Sequence, residues 1–216
     1  MSQPFNRGAI VPAPIEPDKR LKNWWVENPW LIAANGKSLS GYERNRIFLN
    51  LGGKDFFEIS GLTLADSEAD GRGTVAADLT NDGMEDVMVR HVGGLPIALY
   101  ENRFPKTSWL RVTLHGVKSN REGIGARLVA ESNGRKIVRE LFPNNGFMGQ
   151  NAAHVHFGLG QATKLDKLTI RWPSGVVQEF KDLDINRHVR FTEESSNIEV
   201  RWTAESIKTK AVGAAQ

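Results

Sequence analysis

The acidic residues between positions 78 and 86 have the types and spacing of a cation-binding loop. Hard cations such as calcium take about six to eight oxygen ligands, mostly carboxylates and carbonyls. Gly83 allows the sharp turn that lets alternate side chains converge. The sequence therefore predicts one calcium site, formed by oxygen atoms of Asp78, Thr80, Asp82, Asp86 and the Met84 backbone. Strand-like residues flank the loop and its twelfth position is Val89, so it is not an EF-hand.

A looser acidic loop precedes the first by twelve residues. It contains Asp66, Glu68 and Asp70, followed by a glycine, but its ninth position is Thr74, a poor ligand. Two interpretations remain open. The loop either binds a second, weaker calcium ion or is a solvated turn whose aspartates bond backbone amides.

No combination of residues specifies a catalytic site. His154 and His156 are two apart, a spacing that places both on one face of a strand and can bind a transition metal, but no third ligand is identifiable. No Gly-x-Ser-x-Gly pattern occurs, and neither His115 nor His188 has an assignable aspartate partner. We therefore expect a non-enzymatic role and keep a biosynthetic enzyme as the alternative.

Composition excludes several classes of protein. The net charge is only +3, with no long run of like charges, which argues against nucleic-acid binding. The absence of cysteine excludes disulfide scaffolds and thiol catalysis. No apolar stretch reaches the roughly 18 residues that a membrane span requires, and the N-terminal residues have no apolar core of signal-peptide length.

The elements that must position these residues are mainly short strands. Leu110, Val112 and Leu114 alternate with polar residues, and the same pattern recurs at Leu168, Ile170 and Trp172. Asn133-Gly134 predicts a tight hairpin between two strands within residues 126–142. The chain is thus predicted to be all-β, a sandwich or partly closed barrel preceded by a segment that carries the acidic loops, which the resemblance described below likens to a propeller blade.

Three tryptophans lie close together near the N-terminus, at Trp24, Trp25 and Trp30, beside a stretch rich in proline. The cluster either packs across the core of its own chain or docks on a partner protein or a second copy, because tryptophan often dominates interfaces. We expect the partner interaction. Carbohydrate recognition by an exposed Trp109 or Trp172 is a further alternative, although the apolar alternation favours burial of Trp172.

Several motifs together resemble a known family. Residues 78–86 are similar to the calcium loop of FG-GAP/VCBS repeats. The stretches Trp109 to Leu114, Ser119-Asn120-Arg121 and Gly123 to Ala126 resemble the opening of the ASPIC/UnbV domain found in cartilage acidic proteins and enediyne UnbV proteins. His156 to Gly160 and Arg171 to Gly175 resemble that domain's most distinctive motifs.

The resemblance implies calcium, a binding or scaffold role and an extracytoplasmic location, with a cytoplasmic location as the alternative. It divides the chain into an N-terminal arm (1–45), a calcium-loop segment (46–104), an ASPIC/UnbV-like domain (105–193) and a tail (194–216). Two features depart from the pattern. Thr80 stands where the repeat usually has Asn or Asp, and one or two repeats cannot build a complete propeller.

Overall fold

The structure is a computed structural model that describes residues 44–69, 71–91, 97–144, 146–147 and 149–203. Trp24, Trp25, Trp30, Asp70 and the tail from residue 204 lie outside the described residues. Within the described ranges the chain is nearly all β, and none of its sheets closes into a barrel, which confirms an all-β fold of sandwich type. No helix among these residues is long and apolar enough to cross a membrane.

Two small sheets and one short helix form the first part of the chain. The strands are β1 (Phe48–Asn50), β2 (Phe56–Glu58), β3 (Gly71–Ala77), β4 (Asp86–His91) and β5 (Ile97–Tyr100), and the helix α1 is Ser60–Thr63. Strands β1 and β2 pair as an antiparallel hairpin, with its turn at Gly52-Gly53. Strands β3, β4 and β5 form a second sheet in that order.

Eight further strands form two four-stranded sheets. They are β6 (Ser108–His115), β7 (Arg127–Ser132), β8 (Arg135–Glu140), β9 (Val155–Gly160), β10 (Leu165–Arg171), β11 (Val177–Leu183), β12 (Arg187–Thr192) and β13 (Ile198–Thr203). One sheet has the order β11-β10-β7-β8 and the other the order β13-β12-β6-β9. The β7–β8 hairpin turns at Asn133-Gly134 as predicted, with both residues at positive φ.

The apolar alternation of these strands forms one continuous core. Leu110 and Val112 are fully buried, as are Leu168 and Ile170 from the other sheet, and Trp172 is 2% exposed. Burial of a large apolar side chain contributes about 1.5–3 kcal/mol, so this core is the main source of stability in this part of the chain. Strand β6 lies in the interior of its sheet, antiparallel to β9 and parallel to β12.

The chain groups into two compact units. Unit 1 contains residues 1–74 and 88–100, and unit 2 contains residues 75–87 and 101–216. Residues 75–87, which include the Asp78 loop, therefore group with the sandwich. The predicted boundaries place this loop in the 46–104 segment instead.

Candidate functional site

The Asp78 loop joins two strands and begins and ends with buried carboxylates. Asp78 follows the last residue of β3, and Asp86 is the first residue of β4. Asp78 is 7% exposed and Asp86 is 2% exposed, whereas Thr80 lies on the surface. Buried carboxylates are costly unless they are paired and hydrogen-bonded. The partners of these two side chains therefore decide what the loop can do.

All six carboxylate oxygens of Asp78, Asp82 and Asp86 already have a protein donor. Asp78 Oδ1 accepts from the Asp82 amide at 3.0 Å, and its Oδ2 accepts from the Gly83 amide at 2.9 Å. Asp86 accepts from the amides of Leu79 and Asn102, and Asp82 Oδ1 accepts from the Met84 amide. These bonds fold the loop onto its own backbone.

Two basic side chains complete this set of donors. Arg111 Nη2 donates to Asp78 Oδ2 at 2.8 Å, and both side chains are buried, with 8% and 0% exposed. Lys106 Nζ lies 3.3 Å from Asp82 Oδ2 but is 70% exposed. Burial raises the pKa of Asp82, while the Met84 amide, Lys106 and Thr80 lower it, and the net shift is downward. The Arg111 pair is a buried ion pair, and the Lys106 pair is a solvated one.

This arrangement does not fit a calcium ion as it stands. A guanidinium occupies Asp78, and the remaining carboxylate oxygens of the three aspartates accept protein hydrogens. Among the described residues, no group of three or more His, Asp or Glu side chains is arranged to hold a metal ion. Calcium binding by Asp78, Thr80, Asp82, Met84 and Asp86 stays a prediction.

The second acidic loop is tied by an arginine instead. Arg44 Nη1 lies 2.9 Å from Asp66 Oδ2, and its Nη2 lies 2.6 Å from Glu68 Oε1. Asp70, the third predicted ligand, is outside the described residues. These contacts favour the interpretation of a turn held by internal bonds, and a second calcium ion there stays a prediction.

Arg111 also lies beside two tryptophans that contact each other. Its guanidinium carbon is 6.0 Å from the Trp109 ring centroid and 5.1 Å from that of Trp202. Such cation–π contacts stabilise a desolvated cation. The alternation of β6 correctly predicted Arg111 on the face opposite Leu110 and Val112, but no pattern indicated that this second face would also be covered. Arg111 is therefore the central residue of the candidate site, and the sequence did not identify it.

Gly83 is fixed by the same tryptophan. Its φ is +89°, and a Cβ placed on it would lie 1.8 Å from Trp109 Nε1. The sequence predicted that Gly83 allows a sharp turn in the loop. The structure adds a second requirement, because no side chain fits between this loop and the buried indole. The loop therefore packs against Trp109 near the start of β6 and is also bonded to Arg111 of the same strand.

The two histidines named from the sequence lie at the start of one strand. Strand β9 begins at Val155, so His154 precedes it by one residue and His156 is its second residue. His154 Nε2 lies 3.9 Å from Glu85 Oε1 and lowers the pKa of that carboxyl. His156 stacks on Trp109 with ring centroids 6.1 Å apart, and its pKa is lowered chiefly by burial. Burial, with Arg111 nearby, lowers the pKa of His188 to about 4.

A buried glutamate holds two of the sequence motifs together. Glu193, only 2% exposed, accepts hydrogen bonds from the amides of Val117, Lys118 and Ser119, each at 2.7 Å. The hydroxyls of Ser119 and Ser174 also donate to it. Burial raises the pKa of Glu193, but these donors lower it to about 2. The serines of the Ser119-Asn120-Arg121 and Pro173-Ser174-Gly175 motifs are thus structural. The sequence did not identify Glu193.

Both tryptophans considered for carbohydrate recognition are buried. Trp109 and Trp172 are each 2% exposed. Neither ring can stack on a sugar from solvent, which confirms the expected burial of Trp172 and removes Trp109 from that hypothesis.

Comparison with known proteins covers only the later part of the chain. No curated protein matches the sequence. The preceding segment, with its likeness to FG-GAP/VCBS repeats, is not part of any match, so that resemblance stays a prediction. One stretch of the chain runs from the loop after β6 to the first residue of β13 and contains Ser119, Ser174 and Glu193. This stretch, residues 116–198, matches the family described as ASPIC and UnbV.

Proposed function

We propose that this protein is a non-catalytic structural or binding module in which the Asp78 loop serves as a fixed brace on the β sandwich. The observation that carries the proposal is the donor set of the loop. Every carboxylate oxygen of its three aspartates is bonded within the protein. Carboxylates held in this way lack the mobility that acid–base or nucleophilic catalysis needs.

An enzymatic role has weaker support. His154 lines a cavity with Arg139 and Asn151, as an active site near these histidines would require. The volume of that cavity is 130 Å³, below the roughly 300–1,000 Å³ of typical ligand sites. His156 does not line it. We therefore retain the non-catalytic proposal.

We further propose that the loop binds calcium, but only when the ion displaces Arg111 from Asp78. The Arg111 guanidinium on Asp78 opposes a second cation at the same oxygen. An ion would have to displace Arg111 from Asp78, so we expect weak affinity in the native chain. An extracytoplasmic location, implied by the resemblance, stays a prediction alongside it.

Hydrogen exchange at the amides of Leu79, Asp82, Gly83 and Met84 tests the brace, because these four amides donate to the loop carboxylates. In the native chain we expect protection that a chelator does not change. Arg111→Met should abolish it and lower the free energy of unfolding by about 3–5 kcal/mol, the usual cost of breaking a buried ion pair.

Lys106→Met is the matched control. Because Lys106 is exposed, its loss should cost less than about 1 kcal/mol and leave the four amides protected. If calcium binds weakly, Arg111→Met should also regain part of its protection when calcium is added. Protection in the native chain that exists only with calcium present would contradict the brace, as would an Arg111→Met variant with unchanged exchange.

A place in a larger assembly is the second element of the proposal. Among the described strands, β5 lies at the edge of its sheet, and it exposes Ile97 by 53% and Leu99 by 59%. Open edges with apolar side chains invite pairing with a strand from another chain. We propose an extended strand of a partner protein, or of a second copy, as the occupant of this edge.

Sedimentation velocity over rising concentration tests self-association through β5. Leu99→Lys should weaken association because charge protects an edge, whereas Val138→Lys on the β8 edge, which already carries basic residues, should not. Association that Leu99→Lys leaves unchanged would place the interface elsewhere. A native chain that stays monomeric throughout would remove self-assembly.

A further inference from the structure

Unit 1 exposes far more apolar surface than its described residues bury. Among the described residues of this unit, only Ile59, Ala65 and Val89 are buried apolar residues. Nine large apolar side chains of the same unit are exposed by 39–82%: Phe48, Leu49, Leu51, Phe56, Phe57, Leu62, Leu64, Ile97 and Leu99. Apolar patches of this kind mark surfaces that another segment or protein covers.

The largest part of this surface is the β1–β2 hairpin, and both of its faces are apolar. Leu49 lies directly opposite Phe57, and these two share one face with Leu51, whose amide continues the ladder to Asp55. Phe48 and Phe56 lie on the other face. Phe56 is 62% exposed and Phe57 is 58% exposed. A two-stranded hairpin is at best marginally stable in water by itself, so these aromatic side chains require cover.

The chain carries a matching apolar segment next to this hairpin. Residues 24–32 read Trp-Trp-Val-Glu-Asn-Pro-Trp-Leu-Ile, with six large apolar side chains and one charge. The connection from Ile32 to Arg44, the first described residue, is twelve residues, which can span about 40 Å when extended. A tether of this length holds the segment near the hairpin at an effective concentration in the millimolar range. A second copy reaches such concentrations only in a very crowded solution.

We propose that residues 24–32 lie on the exposed β1–β2 hairpin of their own chain and cover its phenylalanines. This placement would bury the two apolar surfaces against each other. The nearness in sequence favours contact within one chain, so this proposal replaces the expected docking of the tryptophan cluster on a partner. The β5 edge remains outside this contact and stays available to a partner. The inference does not depend on the Asp78 loop, so it stands or falls separately from the proposed brace.

Disulfide trapping in the full chain tests the contact, because the native sequence has no cysteine. Asn28→Cys in the segment and Lys54→Cys in the hairpin turn place one thiol on each side, and Lys54 is exposed. Under mild oxidation we expect rapid formation of an intramolecular disulfide, read on a non-reducing gel as a monomer of altered mobility. Adding Phe56→Ser and Phe57→Ser should slow this reaction at least tenfold.

The control must remove as much exposed apolar surface elsewhere. Phe142→Ser with Phe147→Ser does so in the other unit, where these side chains are 59% and 68% exposed, and it should leave the rate unchanged. As a second readout, acrylamide quenching of tryptophan fluorescence should rise in the Phe56→Ser/Phe57→Ser chain. Its far-ultraviolet circular dichroism spectrum should stay unchanged, which shows that the secondary structure is kept. Three outcomes would overturn the proposal: disulfide-linked dimers as the main product, equal rates in the serine variants, or no disulfide together with unchanged quenching.

Discussion

At the scale of single residues, two buried charges far apart in the sandwich unit are stabilised in different ways. Asp78 is neutralised by a buried cation, Arg111, in addition to backbone amides. Glu193 is held by three backbone amides and two hydroxyls. Hydrogen bonds to the charged form favour ionisation as an opposite charge does. Both residues therefore serve as attachment points between loops and strands.

The lowered pKa of Glu193 predicts acid sensitivity. A carboxyl whose pKa is lower in the folded state contributes stability that is complete above its unfolded pKa of about 4.3. This contribution is lost as the pH falls towards the folded value of about 2. Glu193→Gln should lower the free energy of unfolding at pH 7 and flatten its dependence on pH across that window, as measured by urea unfolding at a series of pH values.

Glu194→Gln is the control for that experiment. Glu194 is the next residue and also carries an ion pair, to Lys118 at 2.6 Å, but its side chain is 44% exposed. Exposed pairs contribute little, so the pH profile of this variant should follow that of the native chain. A Glu193→Gln profile as steep as the native one would mean that other carboxyls cause the acid transition.

At the scale of elements, the close contact between the Asp78 loop and β6 predicts the effect of adding one methyl group. Gly83→Ala should cost about 2–5 kcal/mol of unfolding free energy, because it combines a positive φ with a clash against Trp109. Gly134→Ala is the matched control. Its φ is +72°, and a Cβ there meets nothing within 4 Å, so only the backbone term of about 1 kcal/mol applies. Equal losses in chemical denaturation would show that the loop can move away from the indole.

At the scale of the whole molecule, local patterns predicted most strands and missed the contacts that define the site. The alternation at Leu110, Val112 and Leu114 and the Asn133-Gly134 turn depend on neighbours in sequence, and the structure confirms both. The ion pair of Asp78 with Arg111 spans 33 residues, and the bonds of Glu193 to backbone amides span 74 to 76. No periodic pattern encodes contacts over such distances. Strand β2 and helix α1 were missed because three or four residues are too few to show a period.

The position of β6 also sets the order in which the chain can fold as it is synthesised. Its two neighbours, β9 and β12, begin 47 and 79 residues after the first residue of β6. At a usual rate of about 5–20 residues per second, β6 waits seconds between leaving the ribosome and gaining its second partner. During that interval its apolar residues have no complete sheet to enter, and contacts of such long range form slowly. A nascent chain paused before residue 187 would therefore need a chaperone to shield β6.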